Sequence, residues 1–522
     1  MFQQSKLIYY IEIFWLSSLI IFASLIYLNQ EYIGLFFNSD HLMFPAVFQD
    51  LFLNQGHFKD WSLSPAPHFF PDILIFLPAF FLTKDIFYQF LITLCLQLVF
   101  LYLSVKYFYS QFFPKKITII FALASVSIFY LLTFKKPASL LLAAGPLIPA
   151  GHMGEFIVGI FVVSMQLKII TNDNFKLKNN FLLFGTALIF LCSLSDWLFF
   201  IQFALAILFT YLFLYINRII KFKIVRHYAI LPCVASITGV LLTKYTVPTD
   251  ILLKYLSHPS LKKISLVTIH NQFSTLINLF KSDMNWFTSV QSILFYSGVF
   301  ALFCICNKRN KENSILTMKL LFLSNFILFS VVFTIFFIFL LAQEAYVQDR
   351  YMYTIFYFPI LIFFYFYALI IKKKLNNFLI FLAILVMLCL IFNILFSVNS
   401  PRFKIKTNYY PEYISCIDRA LHGKKYSGIA YYSDANVISM LSKEKLQVVS
   451  VLSNLEEFPY AINRKKYKKS YTFAVVDVNP PVLSWKLDRE LIEHINGKPE
   501  KKLICGNKEI LIYKEDKLKI RA

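Results

Sequence analysis

Long apolar runs separated by short polar intervals occupy the chain up to about residue 400, and that pattern stops near Ser400. A membrane-spanning helix needs about 20 predominantly apolar residues. Runs of that kind lie near 8 to 28, 86 to 108, 117 to 133, 154 to 170, 178 to 195, 197 to 217, 228 to 247, 287 to 306, 317 to 341, 352 to 371 and 377 to 398, which predicts eleven spans. The first run lacks a small-residue cleavage site and carries Glu12 near its start, so it reads as a retained anchor and not as a signal peptide. Residues 69 to 82 are apolar but short and are interrupted by Pro71 and Pro78; they are expected to lie along the outer interface or to form a half-buried helix. The segment from Ala138 to Ala150 reads in the same way, as re-entrant or interfacial.

Composition agrees with the pattern. Of 522 residues, 58% are hydrophobic and 60 are Phe, and the mean hydropathy is +0.62, values foreign to a single water-soluble core. The formal charge of +22 raises the question of nucleic acid, but much of the excess falls in short loops on one side of the spans. These loops hold Lys115 and Lys116, then Lys168, Lys176 and Lys178, then Arg218, Lys221, Lys223 and Arg226, then Lys308, Arg309 and Lys311, then Lys372, Lys373 and Lys374. Cationic loops are retained on the cytoplasmic side, so topology accounts for them and no nucleic-acid partner is expected. The alternate loops carry nearly all the acids. With the N-terminus inside, an odd number of spans places the C-terminal segment outside.

About 120 residues of mixed polarity follow Ser400. Short β-rich runs at 428 to 432, 446 to 451, 473 to 477 and 510 to 513 alternate with helical patterns at 411 to 422, 434 to 443 and 486 to 496. That alternation predicts a small α/β domain over 401 to 522 with a partly parallel sheet. No Gly-rich phosphate loop or metal-ligand spacing accompanies it, so a capping or acceptor-docking role is expected of it. Six cysteines, Cys95, Cys192, Cys233, Cys304, Cys306 and Cys389, lie in or beside apolar runs as packing residues. Cys416 and Cys505 bracket the α/β region, which the topology places in an oxidising compartment; they are the candidate disulfide pair, and spacing leaves open whether they meet.

The polar residues of the acidic side carry the functional question, because charges in or beside a membrane are costly and tend to mark sites. Asp40 closely follows the first span, within a large first outer loop of residues 30 to 85, and could hang over a cavity as a general base or simply be solvated. His68 and Asp72 lie in the Pro-stiffened stretch Ser64-Pro65-Ala66-Pro67-His68-Phe69-Phe70-Pro71-Asp72, where they could orient substrate or only shape the loop. His152 and Glu155 open the fourth span at i, i+3 spacing, so both could face one cavity. That spacing suits a metal pair, but two ligands fall short of a site and no metal is expected. Asp196 stands in a tight turn between two apolar segments, where it can cap the next helix, serve a site, or do both. Arg350, in Gln348-Asp349-Arg350-Tyr351, is the only Arg on the outer face of the membrane region. Its planar fork matches a lipid phosphate, or else pairs with Asp349 or Glu344. Lys244, Lys254, Lys262, Lys263 and Lys281 in a long outer loop could draw the same anionic headgroup or form a solvated face.

In this architecture, with a single span, a large first outer loop bearing an early acid, interfacial helices, about ten further spans and an exported C-terminal domain, residues 1 to 400 resemble the GT-C superfamily of polytopic membrane glycosyltransferases. The resemblance implies an α-helical polytopic membrane protein that takes a sugar from a polyprenyl-phosphate carrier, with that lipid-linked sugar as donor and no cofactor. It maps the catalytic base onto Asp40 and the donor-phosphate contact onto Arg350, with an inverting transfer to a glycan, lipid or protein acceptor expected; because a polyprenyl phosphate is a better leaving group than a sugar hydroxyl, that transfer is expected to be metal-independent. There are departures. Asp40 is followed by His41, whereas protein O-mannosyltransferases carry an Asp-Glu pair there, and the Trp-Trp-Asp signature of oligosaccharyltransferases is absent, so N-linked transfer to protein is not expected. A Lys-, Asn-, Ile- and Phe-rich composition suggests an AT-rich bacterial genome, and hence a bacterial plasma membrane. The alternatives are a transporter or flippase for a lipid-linked or anionic solute, although no internal repeat of the kind common in transporters is evident, or a non-catalytic protein of the same fold.

Overall fold

The computed structural model describes residues 2 to 29, 33 to 134, 151 to 171, 175 to 243, 315 to 341 and 404 to 521, apart from short breaks, together with scattered positions between 353 and 392. Among them, seven helices are long and apolar enough to cross a membrane, making this a multi-pass membrane protein. They are α1 (Phe2–Leu28), α4 (Ile86–Tyr109), α6 (Met153–Thr171), α7 (Phe175–Ser195), α8 (Trp197–Ile216), α9 (Phe222–Thr243) and α10 (Ile315–Leu341). A further helix, α5 (Lys115–Phe134), covers the run expected at 117 to 133. The expected span at 287 to 306, the segment 138 to 150 and Arg350 lie outside the described residues, as does most of 377 to 398; of 352 to 371, a short apolar helix at Tyr353–Ile362 is described. The span expected at 228 to 247 is described from Phe222 to Thr243; it starts earlier than expected because the helix runs through Lys223 and Arg226, which an apolar-run criterion rejects.

The first loop folds back onto the bundle. It contains α2 (Met43–Leu53) and a helical segment, Phe69–Leu82, that begins with a π-type turn and continues as α3 (Leu74–Leu82). At 14 residues this segment is short of a spanning helix. Phe48 of α2 lies 5.4 Å from Phe76 and 5.3 Å from Phe80, ring centre to ring centre, so the two short helices share an aromatic seam. Between α1 and α4, Glu12 accepts hydrogen bonds from Tyr102 and Lys106. This pairing neutralises a charge inside the first span, consistent with the rule that intramembrane charges find partners.

The C-terminal region is an α/β unit. Its five-stranded sheet has the order β3-β2-β5-β7-β6, formed by β2 (Ser427–Ala430), β3 (Gln447–Ser450), β5 (Phe473–Asp477), β6 (Lys501–Cys505) and β7 (Lys508–Ile512). β2 pairs in parallel with β3 and β5, while β7 runs antiparallel to β5 and β6. Helices α11 (Glu412–Ala420), α12 (Tyr432–Leu441) and α13 (Arg489–Asn496) accompany it. Alternate strand residues enter different cores. Ile429, Val449, Ala474, Val476 and Leu511 pack together with Ile492, whereas Val448, Val475 and Ile510 join the core that includes Ile414, Ile417 and Ile438. Burial on both faces explains why the central strands read as continuous apolar runs. Cys416 and Cys505 are joined by a disulfide with α-carbons 5.6 Å apart, tying α11 to the end of β6.

This unit is sewn to the first loop. β1 (Trp61–Ser62) pairs antiparallel with β4 (Ile462–Asn463), placing Trp61 opposite Asn463. Asp50 Oδ2 accepts from Trp61 Nε1 and from Asn463 Nδ2, both at 2.7 Å, and Lys465 pairs with Asp60 at 2.7 Å.

Candidate functional site

Five ionisable side chains converge where the first loop meets the ends of α6 and α7. His68, Asp72, His152, Glu155 and Asp196 are each 6% exposed or less, although histidine and carboxylate side chains are rarely buried without a partner or a task. His68 Nδ1 lies 3.0 Å from Glu155 Oε1, and His152 Nδ1 pairs with Asp196 Oδ2. The two imidazoles meet edge to face with centroids 4.8 Å apart. The Asp72 carboxylate lies within hydrogen-bonding reach of Glu155 and against Gly154, where an added Cβ would come within 2.7 Å of Asp72 Oδ2. The absence of a side chain at Gly154 is what admits Asp72.

The local backbone explains the convergence. His68 and His152 both adopt left-handed φ values, 51° and 66°, a conformation costing a non-glycine residue about 1–3 kcal/mol. Tertiary contacts hold the first of these: His68 N–H donates to Ser195 O at 3.2 Å, and Phe70 N–H donates to Ser195 Oγ at 2.7 Å. The Phe70–Pro71 peptide is cis. His152 immediately precedes α6, and its carbonyl accepts from Phe156 N–H, so Glu155 follows one turn later on the same side. Asp196 does two things: Oδ1 accepts from Leu198 N–H at 2.9 Å, capping α8, while Oδ2 meets His152. Burial alone would push the Asp196 carboxyl up, but His152 beside it, with His68 further off, holds it below its ordinary value.

Asp40 stands in a different set of contacts. It lies in the turn before α2, and its Oδ1 accepts from Tyr460 Oη at 2.9 Å. The neighbouring Ser39 hydroxyl donates to Tyr432 O, and Asn436 reaches Ser39 O at 3.5 Å. The structure therefore brings together His68, Asp72, His152, Glu155 and Asp196, and places Asp40 against the C-terminal unit. Arg350 and the five lysines Lys244, Lys254, Lys262, Lys263 and Lys281 lie outside the described residues. Sequence reasoning singled out each of the five clustered residues but not their pairing, and it passed over Ser195, Tyr432 and Tyr460. Tyr460, in Phe458-Pro459-Tyr460, carried no local signal, since its contact is made across the whole chain.

No protein-family model and no curated protein sequence matches the chain. Solved structures do. The oligosaccharyltransferase of Archaeoglobus fulgidus, determined in complex with Zn and sulfate, superposes with a TM-score of 0.50 at 12% identity, over 88% of this chain and 68% of that one. A second structure of that enzyme, tethered through a disulfide to an acceptor peptide containing the NVT sequon, gives a TM-score of 0.45 at 11% identity, over 89% and 69%. The chain thus shares the fold of that oligosaccharyltransferase. At 12% identity the likeness is one of fold alone.

Proposed function

We propose that this GT-C-fold protein is a glycosyltransferase of a bacterial plasma membrane, moving a sugar from a polyprenyl-phosphate carrier to an acceptor hydroxyl on the outer side. The observation that carries the reading is the buried cluster of two histidines and three carboxylates within a bundle of this fold. Buried ionisable groups in a membrane protein mark a functional site, and group transfer needs charges fixed before the reaction begins.

In this reading Asp40 removes the proton from the acceptor hydroxyl. The freed oxygen attacks the anomeric carbon from the face opposite the lipid phosphate, the glycosidic C–O bond to phosphate breaks, and the configuration inverts. The hydrogen bond from Tyr460 fixes the orientation of the Asp40 carboxylate, and Arg350 offsets the charge growing on the departing phosphate. Glycan, lipid and protein acceptors all offer the required hydroxyl. The C-terminal unit, which meets the first loop beside Asp40, is the natural place for the acceptor to dock.

The test begins with the full chain in detergent, analysed by mass spectrometry for a co-purified polyprenyl phosphate. Lipid retained by wild type and by Asp40→Asn but lost from Arg350→Ala supports a lipid-phosphate donor site. Reconstituted with a panel of polyprenyl-phosphate sugars, wild type should then transfer sugar, and Asp40→Asn should be slower by roughly 100- to 10,000-fold, the usual contribution of a general base. No bound lipid and no transfer across the panel would overturn the proposal in favour of transport.

A further inference from the structure

The cluster has a property that neither the fold nor the transferase reading requires. One ligand atom from each of His68, His152 and Glu155 can be chosen so that all three lie within 4.8 Å of one another. All three residues are buried. Bonds of about 2.0–2.2 Å from a tetrahedral ion to imidazole nitrogen and carboxylate oxygen put neighbouring ligands about 3.3 Å apart, so side-chain adjustments of about 1 Å would close the set.

Two further observations point to a cation. Glu155 Oε2 is buried and receives no hydrogen bond from a donor group among the described residues, the neighbour of Glu155 there being another carboxylate, Asp72. Asp196 completes the pattern from behind. It holds one ring nitrogen of His152, the arrangement by which an outer carboxylate fixes the orientation of a metal-binding imidazole and raises its basicity.

We propose that His68, His152 and Glu155 bind a divalent cation of the zinc class, with Asp196 orienting His152. Two imidazoles and one carboxylate are a borderline donor set that suits zinc better than calcium or magnesium, which prefer oxygen ligands. Three protein ligands leave a fourth position open to a water or to an anionic oxygen of a ligand. The site joins the first loop to α6, so the cation would also pin His68 to the bundle. This departs from the metal-independent chemistry expected from sequence, and it stands or falls separately from the transferase reading because its test needs no sugar.

The full chain, purified in detergent without chelator, is analysed for bound metal by mass spectrometry. It is then stripped with chelator and titrated with Co2+, whose visible ligand-field absorption reports coordination directly. The expected result is about one metal ion per chain and a saturable cobalt spectrum. Both should be lost in Glu155→Gln, a near-isosteric change, and in His152→Ala. Asp196→Asn should weaken cobalt binding by roughly 10- to 100-fold without abolishing the spectrum. Each variant is checked for a single elution peak and for its melting temperature; if His152→Ala does not fold, Glu155→Gln and His68→Gln carry the test. Wild type that neither retains metal nor develops a cobalt spectrum overturns the proposal, and so does a folded Glu155→Gln protein that binds cobalt like wild type. In that event the cluster is a pair of imidazole–carboxylate contacts.

Discussion

His68 and His152 occupy left-handed backbone positions that almost any local sequence would avoid, and His68 is kept there by contacts made from a distant element. This is why the residues of the site were legible in the sequence while the site was not. Each histidine or acid stood out as a polar residue at the edge of an apolar run, but the approach of His68 to Glu155 depends on Ser195 holding the loop, and nothing near residue 68 encodes that. Gly154 gives a direct test at this scale. Alanine in place of glycine within a helix ordinarily stabilises by about 1 kcal/mol, yet here the new Cβ would lie 2.7 Å from Asp72 Oδ2 and 2.8 Å from Oδ1. Overpacking of a filled interior costs about 1–3 kcal/mol, so the clash should win. Gly154→Ala is expected to lower the melting temperature of the protein in detergent, and an unchanged or raised value would show that Asp72 can move aside.

Among the elements, the spanning helices were the easiest to read, because a run of about 20 apolar residues has few other uses. The start of α9 was misplaced since long cationic side chains such as Lys223 and Arg226 can lie along a helix with their heads at the interface, so the helix begins earlier than its apolar run. β6 was missed for a related reason: Lys501 and Lys502 are exposed on an edge strand, where lysines protect against unwanted pairing but hide the apolar alternation. Packing of α9 against α7 rests on small residues. A Cβ added to Gly239 would lie 2.7 Å from Phe190 O and 3.0 Å from Leu194 N, and the hydroxyls of Ser193 and Ser236 are hydrogen-bonded between the two helices. Close backbone approach at small residues is how helices associate in lipid. Gly239→Leu should therefore destabilise the bundle markedly in thermal unfolding, whereas Leu241→Ala, at a position 58% exposed, should stay within about 0.5 kcal/mol of wild type. In the sheet, Lys508 of β7 bridges Asp434 of α12 and Asp477 of β5 at 2.7 and 2.9 Å. Burial alone would lower its pKa, but the two carboxylates outweigh burial and raise it. A raised lysine pKa contributes stability that is complete below the unfolded value of about 10.4 and is lost as pH climbs through the higher folded value. Lys508→Met, which leaves two carboxylates without their cation, should cost about 3–5 kcal/mol near neutral pH. The gap from wild type should narrow as unfolding is followed above pH ~10.4; a gap independent of pH would show that Lys508 acts by packing alone.

Across the whole molecule, the C-terminal unit is held in two separable ways, one internal and one at its junction with the first loop. Internally, the Cys416–Cys505 bridge spans 89 residues of sequence, and closing a loop of that size typically stabilises by about 2–4 kcal/mol. Reduction should therefore lower the unfolding temperature of this unit while leaving the α-helical signal of the membrane bundle in place. At the junction, Asp50 Oδ2 accepts from both Trp61 and Asn463, and Lys466 lies over the Trp61 ring at 5.6 Å. One carboxylate oxygen thus links the strand of the first loop to its partner strand in the C-terminal unit, close in sequence to the Tyr460 that holds Asp40. Hydrogen bonds to a charged group contribute about 1.5–3 kcal/mol each, so Asn463→Ala should loosen the junction by about that much. Because Trp61 and Asn463 share an acceptor, their effects should not add: a double-mutant cycle of Trp61→Phe and Asn463→Ala should return a coupling energy above about 0.5 kcal/mol. Hydrogen exchange of β1 and β4 is the readout, since those strands must part when the junction opens. If the two substitutions prove additive and exchange in β1 and β4 stays at its wild-type rate, the pairing of those strands holds without Asp50, and the C-terminal unit is positioned over Asp40 by the Ser39, Tyr432 and Asn436 contacts instead.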